Sequence, residues 1–188
     1  MKNLLRPIGG VLALTAVLFA VSRITSGAGA AHINSSADNG NLLLGNPSGA
    51  TPGSSNNRLL ERPEYSLSYN KANGGPNWVS WHLCQADRGS AGRGNDFAPD
   101  QALPAGFRIR PADYRGSGYD RGHMCPSGDR TSSAQANSHT FLMSNMLPQA
   151  ADLNRELWRK FEEYCRSQLR GGRNRQRTTA AARALFTG

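Results

Sequence analysis

Tyr119-Asp120-Arg121-Gly122-His123-Met124 decides how this 188-residue chain folds. It runs into Cys125-Pro126, and its pattern predicts a short strand that ends on a glycine and a histidine. Phe141-Leu142-Met143-Ser144-Asn145-Met146-Leu147 predicts a second strand, stopped by Pro148. From Ala150 to about Arg170, Leu153, Leu157, Phe161, Tyr164 and Leu169 recur near the helical period, and Gly171-Gly172 ends the run. The unit is strand, loop, strand, helix. Its second half carries Pro148-Gln149, Asn154-Arg155, Trp158 and Glu162. The expected class is α+β with an antiparallel sheet.

Upstream, Tyr65-Ser66-Leu67-Ser68-Tyr69 and Trp78-Val79-Ser80-Trp81-His82-Leu83 predict a hairpin broken by Asn73-Gly74-Gly75-Pro76. Cys84 to Gly106 reads as a long polar loop, a place where function often sits, and Arg93 lies in it. Phe107-Arg108-Ile109 is a short strand candidate. Leu42 to Ala50 is an apolar patch followed by turn chemistry, expected to lie across the surface.

The first residues, with Lys2, Arg6, an apolar run from Ile8 to Val21 and then Ala28-Gly29-Ala30, have the form of a secretory leader; an uncleaved anchor is the alternative. Secretion or a periplasmic location follows, with no stable membrane association after cleavage. The expected divisions are a signal peptide over 1–30, an irregular segment over 31–62, a catalytic domain (its N-terminal part) over 63–170 and an aberrant basic tail over 171–188.

The charge of +9 is a poor guide to partners. Lys2, Arg6 and Arg23 stand before residue 31 with no acid, and residues 31–154 balance ten basic side chains against ten acidic ones. The excess therefore lies in 155–188, nine against three. Cys84, Cys125 and Cys165 allow one disulfide and one thiol, with no pairing favoured. They lack zinc-site spacing, so no zinc site is expected.

The chemistry of the motif points to phosphodiester hydrolysis. That reaction needs a proton acceptor for water, stabilisation of charge on the phosphoryl oxygens, and neutralisation of the leaving oxygen. A histidine, here His123, suits the first task, and a divalent cation the others. Gly122 gives room for close backbone approach. Asp120 alternates with Gly122 and is expected to steady a neighbouring loop. For Arg121, a phosphate contact and a structural ion pair both remain open. Asn154 is the candidate metal ligand, against a helix-capping role. Glu162 and Arg166 lie about 80° and 120° around the helix from it. Glu162 could orient metal-bound water and Arg166 could reach a phosphate, or the two could form an i,i+4 surface pair. Arg93 is a phosphoryl clamp or a solvated loop arginine.

Together these residues resemble the DNA/RNA non-specific endonuclease family, the ββα-metal (His-Me finger) nucleases. The likeness is nearest to secreted cyanobacterial members and is carried by Leu43 to Ala50, Pro76 to Trp81, Gly116 to His123, Phe141 to Met143, Asn145-Met146, Pro148-Gln149 and Asn154-Arg155. The resemblance implies an endonuclease that hydrolyses DNA and RNA, single- or double-stranded, to 5′-phosphate products. It makes His123 the general base and Asn154 the sole direct protein ligand of Mg²⁺ or Mn²⁺. It makes Arg93 the transition-state arginine and Glu162 the carboxylate that orients metal water, with Arg121 and Arg166 near the phosphate. Contacts would run through the nucleic-acid backbone, and a proteinaceous inhibitor is a conceivable partner. The family continues beyond this helix into more sheet. The tail here shows no strand pattern, so a chain truncated after the catalytic helix, or frameshifted, is expected, with an inactive, weakly nucleic-acid-binding pseudoenzyme as the alternative function.

Overall fold

Residues 17–23, 40–167, 169 and 178–184 are described in a computed structural model of the chain. Seven strands, β1 (Val17–Arg23), β2 (Arg58–Glu61), β3 (Ser66–Asn70), β4 (Gly75–Leu83), β5 (Asp120–His123), β6 (Met146–Gln149) and β7 (Thr178–Ala184), form two antiparallel sheets. The larger has the order β1-β7-β4-β3-β2, and the smaller pairs β5 with β6. A short helix α1 (Ala134–His139) lies between the strands of the small sheet. A π-helical stretch, Leu153–Trp158, runs directly into α2 (Arg159–Ser167).

The predicted hairpin is β3–β4. Gly74, at φ +65°, makes the turn that a side-chain-bearing residue would strain. Tyr65, Leu67, Tyr69, Val79, Trp81 and Leu83 are buried in one core with Met124, Leu147, Trp158 and Cys165. This core joins the large sheet to the ββα unit, so the site is mounted on the most buried part of the molecule. Tyr69 and Tyr65 also spend their hydroxyls there, donating to Phe107 O at 2.6 Å and His139 O at 2.8 Å.

The small sheet is only four residues long on each side, yet it does not end abruptly. Met124 N–H donates to Asn145 O at 3.0 Å. Beyond it the Asn145 side chain takes over: Cys125 N–H donates to Oδ1, and Nδ2 donates to Cys125 O and to Thr140 O, all at 2.9 Å. A fully buried amide thus continues the ladder where the described residues supply no third strand.

Several elements differ from the sequence expectation. The second motif strand is shorter and later. Met143–Asn145 form a 3-10 turn, and pairing begins at Met146 and passes through exposed Pro148. The absent proline N–H is tolerated because the hairpin is two-stranded. Residues 107–109 form no strand; a 3-10 turn over Ala105–Phe107 replaces it. Arg58–Glu61, inside the irregular segment, pairs with β3. Leu157 (65 % exposed) and Tyr164 (56 % exposed) leave the core, while Trp158, Phe161 and Cys165 turn toward it. The π-helical stretch accounts for this, since it shifts the register that an ideal helical period assumes. The tail was expected to lack a strand, but Thr178–Ala184 runs as β7 between β1 and β4. β1 itself lies within the segment expected to be a leader. Among the described residues, no helix is long and apolar enough to cross a membrane. The three cysteines are all free thiols.

Candidate active site

His123 ends β5 opposite Met146. Its ring sits edge-on to Phe141, with centroids 4.7 Å apart, and tilted against Phe97 at 5.7 Å. Nε2 is buried and makes no hydrogen bond among the described residues. Burial above all, then Arg93 and Arg121, pulls its pKa from 6.5 to about 3. The imidazole is therefore neutral, and its proton-accepting capacity is unspent. An anion beside these two guanidiniums would cancel part of their field, while burial, the larger cause, would remain. Gly122 is required one residue earlier, because a Cβ there would stand 2.2 Å from the Gln149 side chain.

Asn154 lies in the first turns of the helix, within the π-helical stretch. It does not cap; its N–H donates to Ala150 O at 2.9 Å. Its Nδ2 donates to Asp120 Oδ2 at 3.0 Å. Asp120 also receives two bonds from Arg155, at 2.9 and 2.8 Å. The Asp120 carboxyl is held below the ordinary carboxylate range by Arg155 first and Asn154 second. The loop-steadying role expected of Asp120 is thus corrected: it ties the hairpin to the helix. The tie has a chemical consequence, because fixing the amide nitrogen presents Oδ1 as the free donor of Asn154. A neutral oxygen with the Asp120 carboxylate one step away suits a hard, largely hydrated cation such as Mg²⁺.

The other end of the site is buried. Ser127–Asp129 form a 3-10 turn just after β5. Arg93 Nη1 donates to Ser127 Oγ at 3.1 Å, with its guanidinium over the Phe141 ring. Arg166 Nη1 donates to Asp129 Oδ1 at 2.9 Å and lies 3.7 Å from Glu162 Oε2. It is no exposed surface pair. Gly128 leaves the space, since a Cβ there would meet Arg166 Nη1 at 2.9 Å. Asp129 also accepts the Trp81 indole N–H at 3.0 Å. Burial pushes the Asp129 carboxyl upward against the pull of Arg166. Burial likewise raises Glu162 to about 7, opposed by Arg166 and Arg93. Of the two contacts open to Arg121, the ion pair is absent among the described residues; its guanidinium lies over Phe97, 3.9 Å from the ring centroid.

Asp129 was missed from sequence; its one linear signal is its position six residues past His123, in a turn. A second omission is the trio His82, Cys84 and Asp87, whose ligand atoms lie within 4.8 Å of one another and are capable of chelating a divalent metal. Its spacing, x between the first two and x-x before the third, is the signal that no zinc-type pattern matched. The donors are mixed nitrogen, sulfur and oxygen, softer than Mg²⁺ prefers. Asp87 Oδ2 already accepts Cys84 N–H at 2.6 Å and lies 3.7 Å from Arg130 Nη1. The Asn154 amide oxygen, beside the Asp120 carboxylate, matches hard-metal chemistry better.

A two-stranded antiparallel hairpin ending in histidine, followed by a helix bearing an asparagine tied back to that hairpin, defines a ββα-metal, or His-Me finger, nuclease fold. The chain belongs to the DNA/RNA non-specific endonuclease family, whose model matches residues 46–181. It is 46% identical over 167 residues to a nuclease of Nostoc sp., covering 87% of this chain and 61% of that protein. It is 40% identical over 104 residues to human mitochondrial nuclease EXOG, covering 54% of this chain and 28% of that protein. The fold is similar to that of a chain in the crystal structure of the EndoG/EndoGI complex, with TM-score 0.60 and 31% identity over 70% of this chain and 53% of the other. The chain therefore spans less than two thirds of the length of these relatives.

Proposed function

We propose that this chain is a metal-dependent endonuclease that hydrolyses DNA and RNA phosphodiesters to 5′-phosphate products and acts outside the cytoplasm, secreted or periplasmic. The observation that carries the reading is the pairing of a buried, neutral, unbonded His123 nitrogen with an Asn154 amide turned by Asp120. In this reading His123 takes the proton of the attacking water, and Arg93 and Arg166 hold the phosphoryl oxygens. Asn154 Oδ1 would hold the cation, with Glu162 accepting from water around it. A bound Mg²⁺ or Mn²⁺ supplies Lewis acidity and an acidified water. Contacts to phosphate rather than base edges support low sequence preference. The EndoG complex concerns that protein's inhibition; a proteinaceous inhibitor for this chain is a proposal by analogy.

Plasmid nicking by the purified chain with Mg²⁺ tests the reading. EDTA and, separately, His123→Ala should abolish it. Nicking that survives His123→Ala would remove the base assignment. Binding without nicking would favour the inactive alternative.

A further inference from the structure

The catalytic residues leave one feature of the site unused. Beside Asn154 opens a cavity of about 570 Å³ whose lining includes Phe97, Tyr114, Arg115, Tyr119 and Arg121. Tyr119, directly before β5, is 53 % exposed. Its backbone is set by a turn. Gly116 (φ +69°) and Gly118 (φ +79°) take left-handed conformations on either side of Ser117. Ser117 N–H donates to Tyr114 O at 3.2 Å, and Tyr119 N–H to Ser117 Oγ at 3.2 Å. The turn is therefore built to set Tyr119 at the cavity wall.

The charges agree. Arg62, Arg155, Arg159 and Arg166 are each paired to a carboxylate. Arg115 and Arg121, which line this cavity with Asp120, form no ion pair among the described residues, and the Asp120 carboxylate is itself held by Arg155. An exposed ring and two guanidiniums that line one cavity with the candidate metal ligand match one nucleotide: a π-face for the base and cations for its phosphate.

We infer that Tyr119 is a nucleobase-stacking platform for the nucleotide flanking the scissile phosphate, with Arg115 on the next phosphate. The inference rests on the nuclease reading and deepens it to a substrate preference. A base inside a duplex is already stacked on its neighbours, so only an unpaired base gains from the ring. Stacking ignores base identity, which is compatible with low sequence preference.

The test uses the full chain and short oligonucleotides. Tyr119→Ala should raise KM for a single-stranded oligothymidylate about tenfold, leave kcat nearly unchanged, and spare a duplex of equal length. Tyr119→Phe should behave as wild type. A single abasic residue beside the scissile phosphate, on one side only, should cost wild type the same factor and cost Tyr119→Ala nothing further. Equal abasic penalties in both proteins, a fall in kcat alone, or an equal loss on duplex would overturn the platform. Binding of a fluorescein-labelled oligothymidylate to His123→Ala separates the two readings. Binding that responds to Tyr119→Ala without any cleavage by wild type sinks the nuclease reading and keeps the platform. Cleavage indifferent to Tyr119 and to abasic sites sinks the platform alone, and binding by no variant sinks both.

Discussion

Two aspartates fasten the same helix to the same hairpin, from opposite ends and in opposite surroundings. Asp120 stands before Gly122 and His123, is partly solvated, and grips Asn154 and Arg155. Asp129 stands after them, is fully buried, and grips Arg166 and the Trp81 indole. Solvent screens the first tie, so its value lies in aiming an amide. Nothing screens the second, so its value lies in keeping a guanidinium from being stranded in the core. One residue type thus does orientation at one end and structural compensation at the other.

The largest effect should come from breaking the buried tie. Asp129→Ala strands the mostly buried Arg166 and the Trp81 N–H and should cost about 3–5 kcal/mol in urea unfolding. A loss no greater than that of a surface substitution would mean that Arg166 finds another partner.

The next effect is in pH. His123 is depressed from 6.5 to about 3, so the unfolded chain binds its proton first as the solution is acidified. Its stabilising contribution is present above pH 6.5 and is lost as pH falls toward 3, about 3 kcal/mol by pH ~4. Glu162 works the other way. Raised from 4.5 to about 7, it contributes fully below 4.5 and loses that contribution as pH rises through 7. Thermal melts across this range should show the acid-side fall reduced in His123→Asn and the neutral-side fall reduced in Glu162→Gln. Unchanged slopes in both would refute the burial assigned to these groups.

Breaking the solvated tie should separate function from stability. Asp120→Ala frees the Asn154 amide to rotate and should lower Mg²⁺ affinity or nicking rate about 10–100-fold. Its melting temperature should stay close to that of wild type. A melting loss as large as that of Asp129→Ala would erase the contrast between the two ties. The smallest effect is expected at the exposed Arg159–Glu163 pair, where Arg159→Ala should shift stability by no more than about 0.5 kcal/mol and leave nicking unchanged.

Much of this site was legible in the sequence because its parts are local. Asp120 to His123 is one strand, Asn154 to Arg166 one helix, and Gly122 announces a close approach that the Gln149 side chain supplies. What stayed hidden depended on long-range contact. Asp129 becomes informative only when Arg166, 37 residues away, arrives beside it. Arg121 offers no linear hint that it will lie on Phe97. The register of α2 departs from the hydrophobic period because a π-helical stretch leaves no mark in that period, so Leu157 faces outward and Trp158 inward. The tail strand was invisible for a related reason. Thr178–Ala184 gives no alternating pattern, and its pairing comes from the neighbours on each side.

The Asn145 side chain has a further consequence. By bonding both the N–H and the C=O of Cys125, it lets the hairpin carry its own edge. Beyond Cys125 the support changes hands: Asp129 accepts the Trp81 indole N–H, and Arg130 donates to Glu64 O and His82 O. The hairpin thus sets His123, while the large sheet sets the turn behind it.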